Sequence, residues 1–310
     1  MSAGKPKPHR RKLALGQRVL LAVPFLWLLL FFAAPFLFVA KISLSQAVAQ
    51  RPPYEPVFAW SESWNVFVEK LGQLSLSAYG LLFEDDLYLA SYLGSLKLAA
   101  LATLIGLCVA YPIALAMARA PRSWRPALIV LAIAPFWTSF LIRVYAWIVI
   151  LKDEGLLNHL LLSLRLIDQP LQIYATDWAV LIGIVYSYMP FLILPIYNAI
   201  DRQEPQLVEA GRDLGATGLS AFWRITFPLS LPGVFAGALL MFIPAVGEFV
   251  VPDLLGGSDT LMIGRTLWNE FFANRDWPTA SAVAVVMLLV LLVPLLLYER
   301  NEMRISETRR

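Results

Sequence analysis

The strongest constraint on how this chain folds is the run VLLAVPFLWLLLFFAAPFLFVA at residues 19–40, twenty-two positions without a charge. A helix of that length, rising about 1.5 Å per residue, crosses a hydrocarbon core of about 30 Å. Lipid offers nothing to hydrogen-bond a peptide group, so a chain built from such runs must satisfy its backbone within helices. Five more apolar segments follow, at residues 90–118, 127–151, 178–200, 230–254 and 279–298, divided by polar connections that carry Pro or Gly. The pattern predicts an all-α polytopic membrane protein with six transmembrane helices.

Hydrophobic residues make up 59% of the 310-residue chain and charged residues 15%, well below the charged share of about a quarter usual in soluble domains. The net charge of +3 is small and dispersed among loops, which leaves nucleic-acid binding without support. The basic residues report orientation instead. Lys5, Lys7, Arg10, Arg11, Lys12 and Arg18 precede the first span, Arg119, Arg122 and Arg125 follow the second, Arg202, Arg212 and Arg224 follow the fourth, and Arg300, Arg304, Arg309 and Arg310 end the chain. The intervening loops hold only Arg51, Lys70, Lys152, Arg165, Arg265 and Arg275, so the positive side, with both termini, is predicted to be cytoplasmic. A basic start, an apolar stretch and Ala47-Val48-Ala49 also outline a cleaved signal peptide, but the run exceeds the about 7–15 apolar residues of such segments.

The chain is thus expected to comprise a cytoplasmic basic arm at 1–18, a first transmembrane helix at 19–41, an external loop at 42–89, a five-helix core at 90–298 with a cytoplasmic polar loop at 201–228, and a cytoplasmic tail at 299–310. In the external loop Tyr54, Trp60, Trp64 and Tyr79 alternate with Glu55, Glu62, Glu69, Glu84, Asp85 and Asp86, the composition of a partly helical interfacial segment; it suits an external partner and equally suits ordinary aromatic anchoring. The single cysteine, Cys108, has no internal disulfide partner, and His9 and His159 are too far apart for a metal framework.

The polar loop, DRQEPQLVEAGRDLGATGLSAFWRITFP, has its own pattern. Pro205 suits a first helical turn, Leu207, Val208, Ala210, Gly211 and Leu214 share one helical face, and Gln206, Glu209, Arg212 and Asp213 take the other. Gly215 stands where a left-handed C-cap is needed, Ser220 is placed to cap a second short helix holding Phe222, Trp223 and Ile225, and Pro228 to stop it. A helix, a turn and a short helix at the membrane surface form a handle for another protein rather than a place for chemistry.

Glu209, Ala210 and Gly211, then Gly215, Ile225 and Pro228, stand at the spacing of a family signature: the loop resembles the cytoplasmic EAA loop of ABC importer permeases. Gly211 replaces the usual alanine and Phe227 the usual leucine; small and apolar character are kept. The stretches PFWTSFLIRVYAWIVILKDEG, FIPAVGEFVVPDLLGGSDTLMIGR and NEFFANRDWP extend the likeness over residues 90–298, where the chain is similar to the putrescine permease subunits of bacterial polyamine (spermidine/putrescine) importers. The resemblance implies a type I ABC importer permease fold in a bacterial inner membrane. It also implies half of a translocation pore, completed by a second, homologous permease, a cytoplasmic ATP-binding subunit working as a dimer, and an external solute-binding protein.

Charge inside the spans points to the pathway, because an ionisable group in hydrocarbon needs a cavity or a partner. Lys97, Arg143 and Glu248 qualify, and Lys97 is close enough to a span end to snorkel. Arg143 and Glu248 lie about 12 Å and about 9 Å below the outer ends of their spans. Two readings stand side by side. Glu248 attracts a cation, supported by Asp253 and by the π faces of Trp137, Tyr145, Tyr186 and Tyr188; or it forms a structural bridge to Arg143. Prolines 112, 135, 190, 195, 232, 244 and 252 are candidate kinks, and Gly233 and Gly237 a close helix contact.

There is no GxxxxGK[ST] loop, GxSxG elbow, HExxH pair or Cys/His cluster. The expectation is a transport subunit that is not an enzyme and binds no cofactor, with ATP used by its partner. An ion-coupled secondary transporter or channel for organic cations is the alternative, with the same Glu248 and kinks but no use for the structured loop.

Overall fold

A computed structural model of the chain describes residues 15–59, 61 and 63–308. The basic arm through Lys12, Trp60, Glu62, Arg309 and Arg310 lie outside the described residues, as do the side chains of Arg18 and Arg304. The first span joins α1 (Leu15–Leu28), a π-helical turn at Leu29–Ala33 and α2 (Ala34–Ser43), and packs along the last helix of the chain. The external segment then forms a small antiparallel ladder, β1 (Gln46–Ala47) with β2 (Tyr54–Glu55), followed by two short helices, α3 (Trp64–Gly72) and α4 (Ser77–Glu84). The ladder, two residues on each strand, is a local addition to a helical chain, and the two short helices give the segment the partly helical character expected of it.

The second span, α5 (Asp86–Arg119), starts four residues before the apolar run because Asp85 caps it, its carboxylate accepting the Leu87 amide at 2.9 Å. The segment expected as one span at 127–151 is broken. α6 (Arg125–Ile133) tightens into a 3₁₀ turn at Ala134–Trp137, and α7 (Phe140–Leu151) and α8 (Leu156–Ser163) leave at 87° to it. Thr138 is extended, and its hydroxyl donates to the Pro135 carbonyl at 2.8 Å, occupying an acceptor that a continuing helix would need. The fourth span, α9 (Asp177–Asp201), runs unbroken through Pro190 and Pro195.

After α10 (Pro205–Asp213), α11 (Gly218–Ala221) does not stop at Pro228. It widens into a π-helical turn, Phe222–Thr226, and flows into α12 (Phe227–Val246), where Pro228 sits in the first turn. The altered bonding of a π turn absorbs a residue that has no N–H to give. The cap of α11 is also not Ser220 but Thr217, whose hydroxyl accepts the Ser220 amide at 3.3 Å. The fifth span breaks again at Gly247–Phe249, before α13 (Val250–Leu255); α14 (Ile263–Asn269), a π-helical turn (Glu270–Asn274) and α15 (Trp277–Thr308) complete the chain.

Contacts between helix ends decide the number of crossings. Thr260 donates to Asp177 at 2.7 Å, and Thr260 and Leu87 share one cavity wall, so α5 and α9 start at the same end of the bundle. Arg125 at the start of α6 pairs with Asp201 at the end of α9, at the opposite end. α5 runs from the first end to the second, so the segment from Arg125 to Ser163 must return. The bent pair is therefore one broken span, and the crossings number six.

The core lies where α9 packs between α5 and α12. No hydrophobic force draws helices together in lipid, so close packing must do so. A Cβ on Gly233 would lie 2.4 Å from the Ala199 Cβ and 2.6 Å from the Pro195 carbonyl oxygen, which explains the glycine: the two backbones touch there.

Candidate functional site

Both helix breaks open onto one cavity of about 380 Å³. The α6–α7 break contributes Phe136 and Phe140, α9 contributes Ser187 and Tyr188, and the α12–α13 break contributes Gly247, Glu248, Phe249 and Val250. Interrupted helices are tolerated at membrane depth only where protein or a polar cavity takes up the freed backbone groups. Glu248 does this here. One carboxylate oxygen accepts the amides of Phe249, Val250 and Val251 at 3.1, 2.9 and 3.3 Å, and the other accepts the Tyr188 hydroxyl. The side chain is 7% exposed and, among the described residues, has no basic group within ion-pair distance.

The bridge to Arg143 expected as one reading does not form. Arg143 is 8% exposed, and its guanidinium lies 5.2 Å from the Phe136 ring centre and 5.6 Å from that of Phe140, while Nε and Nη1 are buried without a hydrogen-bond partner. Glu248 is turned instead toward α13, whose first amides need an acceptor after the break. The Ser187 hydroxyl is likewise buried without a partner in the cavity wall.

Of the predicted pathway residues, the fold brings Glu248 and Tyr188 together. Asp253 is one turn into α13 and pairs with Arg265 at 3.3 Å; Tyr186 packs edge-on against Trp147 at 5.5 Å. Trp137, 74% exposed, and Tyr145 point away from the core. Phe136, Phe140, Ser187 and Phe249 were not foreseen. Phe136 and Phe140 flank the Trp137-Thr138-Ser139 break, so the polar pair interrupting an apolar run was the available signal.

The polar loop forms a second candidate site. Gly215 has φ +86, its amide bonds the Arg212 carbonyl at 2.8 Å and the Ala216 amide bonds that of Gly211 at 3.0 Å, a Schellman termination of α10. Ile225 Cδ1 lies 2.6 Å from where a Cβ on Gly211 would stand, so Gly211 is the point at which α10 rests on the following turn. Gln203 donates to the Thr226 carbonyl at 3.0 Å and closes the loop at its base. Of the shared apolar face, Leu207, Ala210 and Leu214 are exposed, Leu214 at 91%, together with Glu209, Leu219 and Trp223. Only Val208 and Gly211 of that face turn partly inward.

Residues 110–306 match the family described as binding-protein-dependent transport system inner membrane component. The spermidine/putrescine transport system permease protein PotB of Haemophilus influenzae is 36% identical over 284 residues, covering 92% of this chain and 93% of that protein. Its Escherichia coli K12 counterpart is 44% identical over 216 residues, 70% of this chain and 78% of that protein. In fold, the chain resembles one from a bacterial ABC transporter involved in the import of the acidic polysaccharide alginate, with a TM-score of 0.67 at 17% identity over 93% of this chain and 95% of that one. A chain from the MetNI methionine ABC transporter is similar at a TM-score of 0.54 and 15% identity over 69% of this chain and 93% of that one. With this coverage and six crossings, the chain belongs to the inner-membrane permease components of binding-protein-dependent ABC transport systems.

Proposed function

We propose that this permease forms half of the pore of an ATP-driven importer of polyamines, with Glu248 receiving an ammonium group in the cavity between the two helix breaks. The observation that carries the reading is a carboxylate 7% exposed, in a wall that includes Phe136, Phe140, Tyr188 and Phe249, with hydrogen bonds but, among the described residues, no basic group within ion-pair distance. An organic ammonium supplies a counter-charge, and the Tyr188 and Phe249 rings in the wall suit its alkyl stem, since the Phe136 and Phe140 rings already carry the Arg143 guanidinium. The substrate class is supported by the names of the relatives, which transport spermidine and putrescine. The alginate importer shares the fold and carries a polyanion, so fold alone does not select the charge of the cargo.

The exposed face of the Pro205–Thr226 handle is the docking point for a separate ATP-binding subunit, working as a dimer. A second homologous permease completes the pore, and an external solute-binding protein delivers the substrate. Both termini and the handle lie in the cytoplasm, on the side richer in Lys and Arg. The chain itself holds no cofactor and hydrolyses no ATP.

Uptake of radiolabelled putrescine and spermidine by the reconstituted complex tests this reading. Glu248→Gln should reduce flux at least tenfold while the complex stays assembled. Unchanged flux in that variant removes Glu248 from the pathway.

A further inference from the structure

The outer end of the bundle holds a second buried carboxylate. Glu270 opens the π-helical turn Glu270–Asn274 and is 9% exposed. One of its oxygens accepts the Tyr88 hydroxyl at 3.0 Å and the other accepts the Asn274 side-chain amide at 3.0 Å. Among the described residues no basic group is within ion-pair distance of it. The turn ends on Arg275, a non-glycine residue at φ 56, and the Asp276 amide closes back on the Glu270 carbonyl at 2.9 Å. A π turn and a left-handed arginine side by side are uncommon, and such features gather at functional sites.

Glu270 lines a cavity of about 440 Å³ distinct in its residues from the one at Glu248. Its wall is mixed, with Ser258, Thr260, Thr266, Asn269 and Asn274 lining it beside the apolar Leu87, Leu261, Met262 and Ala273. Arg265 also lines it, but its Nε is paired with Asp253 at 3.3 Å and its Nη1 donates to the Gly257 carbonyl at 3.0 Å. The charge of Arg265 is therefore matched by Asp253, whereas Glu270 has neutral hydrogen-bond partners and, among the described residues, no counter-charge. A primary ammonium has three donors and no acceptor. Glu270 uses one hydrogen bond on each oxygen, Asn274 keeps its carbonyl oxygen free of its bond to Glu270, and Asn269 and the hydroxyls add further acceptors.

We infer that this outer cavity is an entry station for a primary ammonium, where one end of a diamine or polyamine pairs with Glu270 before the ligand passes inward. Leu87, in the wall, and the Thr260–Asp177 bond put the cavity at the end where α5 and α9 begin, the end toward which α12 carries Glu248. The inference rests on the reading of the complex as a polyamine importer. Two carboxylates in succession match a ligand that carries a positive charge at each end.

The test uses the full complex with its binding protein in proteoliposomes and follows putrescine and spermidine uptake against concentration. Glu270→Gln should raise KM about five- to twentyfold with the maximal rate within twofold and the thermal midpoint of the complex unchanged. Glu270→Asp, which keeps the charge, should recover most of the affinity. Tyr88→Phe removes a hydrogen bond to Glu270 without touching its charge and should leave KM within twofold. A Glu270→Gln complex with wild-type KM overturns the station, and so does an equal rise in KM from Tyr88→Phe, which would make Glu270 a strut. If Glu270→Gln fails to assemble, Glu270→Asp and Tyr88→Phe still decide: loss of affinity in both overturns the inference. Absence of polyamine uptake by the unaltered complex would instead refute the importer reading, and normal uptake by Glu248→Gln would refute the inner site alone.

Discussion

Glu248 receives four hydrogen bonds, three of them from amides exposed by the interruption of its own span. These bonds give it a duty in the fold beside the pathway role proposed above, and substitutions separate the two. Glutamine keeps an oxygen for the three amides and exchanges a charged acceptor for a neutral one, a loss of about 1–2 kcal/mol. Alanine leaves the amides unsatisfied and should destabilise the complex by about 2–4 kcal/mol. Thermal unfolding should therefore rank Glu248→Ala well below Glu248→Gln, with uptake impaired in both; equal stability would mean that the capping bonds do not matter. Arg143 behaves differently because, among the described residues, it has no counter-charge to strand. Arg143→Met keeps the stem between Phe136 and Phe140 and trades a cation–π contact of about 0.5–2 kcal/mol for relief of two unpartnered nitrogens. Its thermal midpoint should stay within a few degrees of the parent, and its effect should add to that of Glu248→Gln. Mutual rescue in the double variant would restore the ion pair that the geometry denies.

Among the elements, the handle between α9 and α12 depends on one backbone conformation. Nothing lies within 4 Å of a Cβ built on Gly215, so the position has room for a side chain and only its φ of +86 resists one. Gly215→Val should strain the turn by about 1–3 kcal/mol and uncouple substrate-stimulated ATP hydrolysis from uptake. Gly215→Asn tolerates the left-handed region and should remain coupled. If valine and asparagine behave alike, the Schellman turn does not set the position of α10. The handle has no hinge at its exit, because the π turn joins α11 to α12 in one apolar helical stretch from Gly218 to Val246. A push on α10 would thus reach α12, which ends two residues before Glu248, and the proposed coupling requires a rigid connection of this kind.

For the whole molecule, six crossings rest on the third being a broken span. In a Cys108→Ser background, Arg122→Cys and Leu166→Cys, both at exposed positions, should react with a membrane-impermeant maleimide from opposite sides. Labelling from the same side would make the segment a re-entrant hairpin. The proposed division of labour among subunits predicts that the purified chain neither binds nor hydrolyses ATP, since its sequence has no phosphate-cradling loop. Saturable nucleotide binding with turnover would overturn that division. The bundle also shows how proline is used. Pro112, Pro190, Pro195, Pro232 and Pro244 lie inside continuous helices, while the breaks fall at Thr138–Ser139 and Gly247–Phe249. Neighbouring helices hold a proline-containing helix together, and a break forms where side chains and a cavity take over the backbone bonds.

What the sequence determined by itself was everything that local rules govern. The apolar runs had to become helices because lipid forbids other backbone arrangements, and residues 205–215 had to form a helix closed by a left-handed glycine because Pro205 and Gly215 permit little else. The polar side of the family likeness was legible for the same reason, since its spacing is a helix and a turn written in adjacent residues. Tertiary structure decided the rest. Whether Glu248 met Arg143 depended on the direction in which a side chain sixty residues from Tyr188 would turn, and the freed amides of α13 claimed it. The breaks opposite each other, the choice of Phe136 and Phe140 over Trp137 and Tyr145, and the second carboxylate at Glu270 arise from helices brought together across the bundle. A pattern of depth and periodicity places a residue along a helix, but only packing says which neighbour stands across from it.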